Sequence, residues 1–196
     1  MAEPQRLRAA LAAIDAANAA DPNRIEVRGV HRPKELAHAE LATSWVQALV
    51  PNPSEALLLA ARAHHLRRWE TPRDAYPEGR VGYLRWRKQL QEFHARCVGE
   101  ILAREGYDAS SIARVQEIVQ KKALGRDPEV QALEDALCLV FLETQLRALA
   151  ERLEADKLFE VARKTVRKMS PAAIERAREL PLAPDELDLI ERAAAG

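Results

Sequence analysis

Asp127-Pro128-Glu129-Val130, followed by Leu133-Glu134-Asp135-Ala136-Leu137-Cys138-Leu139-Val140-Phe141-Leu142-Glu143, is the stretch whose reading decides the fold. It opens as helices open. Asp127 can accept from unpaired backbone N–H groups, Pro128 sits where no N–H is needed, and Glu129 meets the positive end of the helix dipole. From Leu137 to Leu142 every residue is apolar, so no side of that segment suits water. The pattern predicts one long buried helix running to about Leu153, and such a helix requires others around it.

Working outward, apolar residues recur at helical spacing in both directions, and no segment alternates convincingly as a strand does. Glycine is scarce, at seven residues in 196, which suits long helices with few tight turns. Helices are expected at 5–19, 33–49, 53–69, 83–104, 108–123 and 127–153, with a loop at 25–32. Weaker amphipathic helices follow, with starts at Ser170-Pro171 and Pro184-Asp185. The expectation is an all-α, single-domain helical bundle over residues 1–196. Its core spans about 28–154, and C-terminal helices at 156–194 pack on it.

Thirty Lys and Arg balance thirty Asp and Glu. A general nucleic-acid binder usually carries a basic excess, so no such binding is expected. Cys97 and Cys138 lie far apart inside apolar runs and read as buried thiols, without metal-type or disulfide spacing. The first residues lack the basic-then-apolar plan of a signal peptide, and no apolar run reaches the ~20 residues that cross a bilayer. A cytoplasmic location without membrane partners is expected. Composition says nothing about oligomeric state.

The chemistry gathers at Ala60-Ala61-Arg62-Ala63-His64-His65-Leu66-Arg67-Arg68-Trp69. Adjacent helical residues point about 100° apart, so His64 and His65 can still converge on one point beside the helix. All five histidines fall between positions 31 and 94. His38 shares a stripe with Leu41, Ala42 and Trp45, and His94 shares one with Trp86, Leu90, Cys97 and Ile101. A single inward histidine is ordinarily a hydrogen-bonded core residue. Several on successive helices suit a metal. Asp135, on a stripe with Leu139, Leu142 and Leu146, needs a metal, a cation such as Arg62 or Lys122, or strong donors. Residues 70–82, rich in Pro and Gly, read as an ordered loop over the mouth of the site, with Arg80 or Arg85 reaching in. Arg62, Arg67, Arg68, Arg80, Arg85 and Arg87 suit phosphate, although such charges are usually solvated. Trp69, Tyr76, Tyr83 and Trp86 could form a wall on which a base stacks.

The order His38, His64-His65, Asp135 resembles the HD phosphohydrolase superfamily, an all-helical fold whose signature is a His, a His-Asp pair and a later Asp, each a ligand to a divalent metal. The resemblance covers roughly residues 28–143 and implies His38, His64, His65 and Asp135 as metal ligands, with His94, Arg80 and Arg85 as catalytic or phosphate-binding groups. His65 stands where that superfamily has Asp, so nitrogen-preferring ions (Fe, Ni, Co, Mn or Zn) are expected over Mg. More closely, residues 64–69, 76–87 and 133–143 look like the uncharacterised "domain of unknown function 4202" family, which implies no activity. The first functional expectation is a divalent-metal-dependent phosphohydrolase acting on a small phosphorylated compound, a nucleotide foremost. The alternatives are a non-catalytic pocket for a nucleotide or other anion, favoured by His65 in place of Asp, and a metal-dependent oxygenase.

Overall fold

The computed structural model describes residues 3–27 and 29–195; Met1, Ala2, Arg28 (the expected start of the core) and Gly196 lie outside them. The element order is α1 (Glu3–Ala19), β1 (Arg24–Val27), β2 (Val30–Pro33), α2 (Lys34–Leu49), α3 (Glu55–Ala63), α4 (Gly79–Arg104), α5 (Ala109–Val119), α6 (Pro128–Ala150), α7 (Ala155–Val166), α8 (Pro171–Arg178) and α9 (Pro184–Ala195). Two single turns of 3-10 helix, Arg68–Glu70 and Arg73–Ala75, join α3 to α4. Side-chain caps fix several of the starts. Ser54 accepts from the Leu57 N–H, Asp108 from Ser111, Asp127 from Glu129 and Val130, and Ser170 from Ala173.

The all-α bundle is organised along α6, as its sequence requires. Val130, Leu133 and Ala136 pack into one core with Leu57, Leu66, Val98, Leu102 and Ile118. Cys138, Leu139, Leu142 and Leu146 pack into a second core with Ala162, Val166, Ala173, Ala177 and Ile190 from the C-terminal helices. Both cysteines are buried free thiols. No helix among the described residues is long and apolar enough to cross a membrane.

Four boundaries differ from the sequence reading. The loop expected at 25–32 contains an antiparallel hairpin in which Ile25 pairs with Arg32 and Val27 with Val30. Its strands have four residues each and are half-buried at most, which is too short and too wet for a readable alternation. Gly29, with φ 78°, takes the left-handed conformation a tight hairpin turn needs. The third helix stops at Ala63 instead of continuing to Trp69. Leu66 N–H turns back to the Ala63 carbonyl, and Arg67 adopts a left-handed φ of 56°. The histidine pair therefore sits at a helix end, on a reversing backbone. In the fifth helix, left-handed residues Lys121 (φ 57°) and Ala123 (φ 59°) end the run early. The fourth helix begins at Gly79, four residues before the expected Tyr83.

That early start brings α4 hard against the preceding loop. A Cβ added to Gly82 would lie 1.9 Å from the Pro77 carbonyl oxygen and 2.7 Å from its carbon, both backbone atoms that cannot yield by changing rotamer. Gly82→Ala should therefore displace residues 72–78 from α4 and cost about 1–3 kcal/mol, the range for overpacking. Chemical denaturation tests this; an unchanged midpoint would show that the loop yields freely.

Candidate metal and anion site

The site begins with a backbone constraint. Asp21, in the turn after α1, accepts the Glu35 N–H on Oδ2 at 2.9 Å and the Asn23 N–H on Oδ1 at 2.9 Å. This fixes the first turn of α2 and turns the Glu35 side chain inward, where only 4% of the residue is exposed. Its Oε2 lies 3.1 Å from His65 Nδ1 and 3.7 Å from His38 Nδ1. Burial opposes ionisation of Glu35. The two imidazoles meeting its oxygen outweigh burial, and the carboxyl titrates below its ordinary range.

Three further ring nitrogens have partners that fix their tautomers. Arg68 Nη1 lies 2.9 Å from His65 Nε2. A guanidinium only donates, so His65 Nε2 accepts, and the Nδ1 proton points at Glu35. Burial, and then His64, hold the His65 pKa well below its usual value. His64 Nδ1 donates to the Ala61 carbonyl at 2.8 Å, and His94 Nδ1 to the Leu66 carbonyl at 2.8 Å. Burial pushes His64 down to about 3 and His94 down to about 4, so both are neutral at pH 7. With its tautomer fixed, His94 presents Nε2 as a bare lone pair. That atom is buried and has no hydrogen-bond partner among the described residues.

These rings line a cavity of ≈ 340 Å³. The wall holds His38, His64, His65 and His94, the cations Arg68, Arg87, Lys121 and Lys168, and the aromatic rings of Tyr83, Trp86 and Phe141. Arg68 is stacked over Trp86, 5.1 Å from the ring centroid, and Trp86 Nε1 donates to the Thr71 carbonyl. Glu134 is the carboxylate in the wall.

The expected residues divide accordingly. His38, His64, His65 and His94 all line this cavity. Asp135 does not join them. Helical rotation puts Glu134, Leu137, Cys138 and Phe141 on the cavity side of α6, while Asp135, Leu139, Leu142 and Leu146 face the C-terminal helices. Asp135 Oδ1 accepts the Ser170 N–H at 2.8 Å and Gln131 Nε2 at 2.9 Å, so its partners are neutral amides instead of a metal or an arginine. Arg62 instead pairs with Asp15 through two hydrogen bonds. Arg80 and Arg85 are exposed and absent from the cavity wall. On α4 the cavity side runs through Tyr83, Trp86, Arg87, Leu90, Gln91 and His94, so Arg80 lies one turn too far out and Arg85 on the far side. Nor does any residue of 70–81 line the cavity. That loop is ordered along α4 by Arg73 bonds to the Tyr76 and Pro77 carbonyls and by Tyr76 to Gln89. Sequence reasoning missed Glu35, Lys121 and Lys168. Glu35 had one signal, its position three residues before His38, but a Glu in a first turn is ordinarily read as dipole compensation.

Glu35, His38 and His65 each bring one ligand atom within 4.8 Å of the other two. A tetrahedral ion with bonds near 2.1 Å separates its ligands by roughly 3.4 Å. The 3.1 and 3.7 Å from Glu35 to the two imidazoles lie close to that separation, and all three ligand atoms lie within 4.8 Å of one another. Two neutral imidazoles and a carboxylate are a donor set for Fe, Co, Ni, Mn or Zn. For His65 to give its Nδ1 lone pair, its proton must move to Nε2, and Arg68 Nη1 must then leave that nitrogen.

Two outcomes follow for the buried polar groups. Asp135→Ala should cost about 1–3 kcal/mol by stranding the Ser170 N–H, while Asp135→Asn, which keeps an acceptor, should cost less. Neither change should alter metal content, and loss of bound metal in Asp135→Asn would overturn this placement. His94 is also a source of acid lability. Its folded pKa of about 4 lies below the unfolded ~6.5, so the unfolded chain binds more protons between those values. The stability it contributes is complete above about pH 6.5 and is lost as pH falls toward 4, on the order of 3 kcal/mol. Denaturation midpoints measured across that window should fall less steeply for His94→Asn, whose amide can still donate to the Leu66 carbonyl.

Among known proteins, residues 8–190 match the family described as Domain of unknown function (DUF4202). No curated protein and no solved structure matches the chain. A match over nearly the whole chain, on a helical bundle with this histidine-lined cavity, makes the protein a member of the DUF4202 family.

Proposed function

We propose that the protein is a divalent-metal-dependent phosphohydrolase acting on a small phosphorylated compound, with nucleotides the first class to test. The observation that carries this reading is a carboxylate and two imidazoles able to share one ion beside a cavity with four cationic side chains. The His-His pair lacks the carboxylate expected of an HD site, and Glu35 supplies one from α2. An ion held by Glu35, His38 and His65 would polarise a phosphoryl oxygen and acidify a bound water. Arg68 and the lysines bind the phosphate oxygens, and Tyr83 and Trp86 provide a face for a base. His94 Nε2, neutral and unpartnered, accepts a proton from the attacking water. Two buried thiols suit a reducing, cytoplasmic setting.

A second reading is a non-catalytic anion pocket. The hydrogen bond from Arg68 to His65 favours it, because Glu35, His65 and Arg68 then form a chain that aims a guanidinium without any ion. Elemental analysis of the purified protein separates the two. The hydrolase reading expects about one transition-metal ion per chain, at least tenfold weaker metal binding in Glu35→Gln, and chelator-sensitive release of phosphate from nucleotides. His94→Asn should retain the metal and lower kcat by about 10²–10⁴-fold. Metal-free protein that binds phosphate equally well with and without chelator, and releases none from nucleotides, would favour the anion pocket.

A further inference from the structure

The cationic wall of the cavity has two separately built poles. At one, the Arg68 guanidinium is stacked over Trp86 and held through Nη1 by His65 Nε2, with the rest of its donor fork uncommitted to that bond. At the other, buried Glu134 holds two ammonium groups, Lys121 on Oε2 and Lys168 on Oε1 at 3.4 Å. Each ammonium has three donors and gives one to Glu134, leaving two apiece. One carboxylate against two lysines leaves a positive charge at that pole. Lys121 comes from the left-handed turn after α5 and Lys168 from the turn after α7, so the pair is assembled from distant parts of the chain.

A ligand with one phosphoryl group engages one pole and leaves the other with uncompensated charge in a confined space.

We propose that the cavity binds a small organic compound carrying two phosphoryl groups, one at Arg68 and the other between Lys121 and Lys168. This rests on the same cavity being the ligand site in the proposed function, but it needs neither metal nor turnover. Glu134 is then a positioning residue that spaces the two ammonium groups.

Non-hydrolysable probes test it. Titration calorimetry, with chelator present, compares methylphosphonate with alkane diphosphonates bearing one to five methylenes between the phosphorus atoms. At least one diphosphonate should bind tenfold or more tightly than methylphosphonate, and the best spacer reports the distance between the poles. Lys168→Gln, at a half-exposed position, and Arg68→Gln should each return that diphosphonate to the affinity of methylphosphonate, while Arg68→Lys retains part of the preference. The proposal is overturned if no diphosphonate exceeds methylphosphonate by more than twofold, or if only one of the two glutamine substitutions matters. Its failure is distinct from that of the hydrolase. Metal-free, inactive protein that prefers a diphosphonate keeps this proposal alone, and an active hydrolase indifferent to the second phosphonate keeps only the other.

Discussion

The Glu35 carboxylate is the constraint from which the rest of the site follows. A buried anion without donors is too costly to keep, and the basic side chains that meet it among the described residues are two imidazoles, not an arginine or lysine. Those rings must therefore aim nitrogen at Oε2, which fixes His38 on α2 and His65 beyond the end of α3. His65, once oriented, can only accept on its other side, and that draws in Arg68. Asp21 stands behind all of this by setting the first turn of α2. A chain of single hydrogen bonds thus carries an orientation from the turn after α1 to a guanidinium in the cavity.

The second organising fact is that α6 serves two cores and a cavity at once. Its first half closes the core with α3, α4 and α5, and its second half closes the core with the C-terminal helices. Between these apolar faces, the stripe from Glu134 to Phe141 remains for the cavity. Cys138 sits on that stripe, where burial raises its thiol to about 12, so it is protonated at neutral pH and inert as a nucleophile.

Much of the fold was legible because helices advertise themselves locally. Asp127-Pro128 and Ser170-Pro171 are helix starts whose signals lie within a few residues, and both cap as read. The run from Leu137 to Leu142 needs burial whatever surrounds it. The site was legible only in part. His38 and His94 were found by the periodicity of their stripes, and His64 and His65 as an adjacent pair. Asp135 was misplaced because burial is visible in a stripe but direction is not. Asp135 and Glu134 are adjacent and both buried, and only the packing of α7 and α8 decides which of them faces the cavity. Lys121 and Lys168 were invisible for a related reason. Each lies just past a helix end, where the left-handed turn at Lys121 and the docking of α7 bring it to Glu134, and neither event has a periodic signature.

The reach of α7 and its following turn sets when in synthesis the cavity becomes complete. During synthesis the N-terminal part of a chain emerges first. Glu35, the histidines, Arg68 and Glu134 are all made before residue 135, yet Val161, Thr165 and Lys168 of the wall come only with the last part of the chain. Until then Leu139, Leu142 and Leu146 have no second core to enter, and Glu134 has Lys121 as its one counter-ion from these two lysines. A nascent chain stalled before α7 therefore exposes an apolar strip beside a Glu134–Lys121 pair, a surface suited to chaperones and proteases. Completion of the C-terminal helices removes that strip and adds the cavity's last cation in the same event.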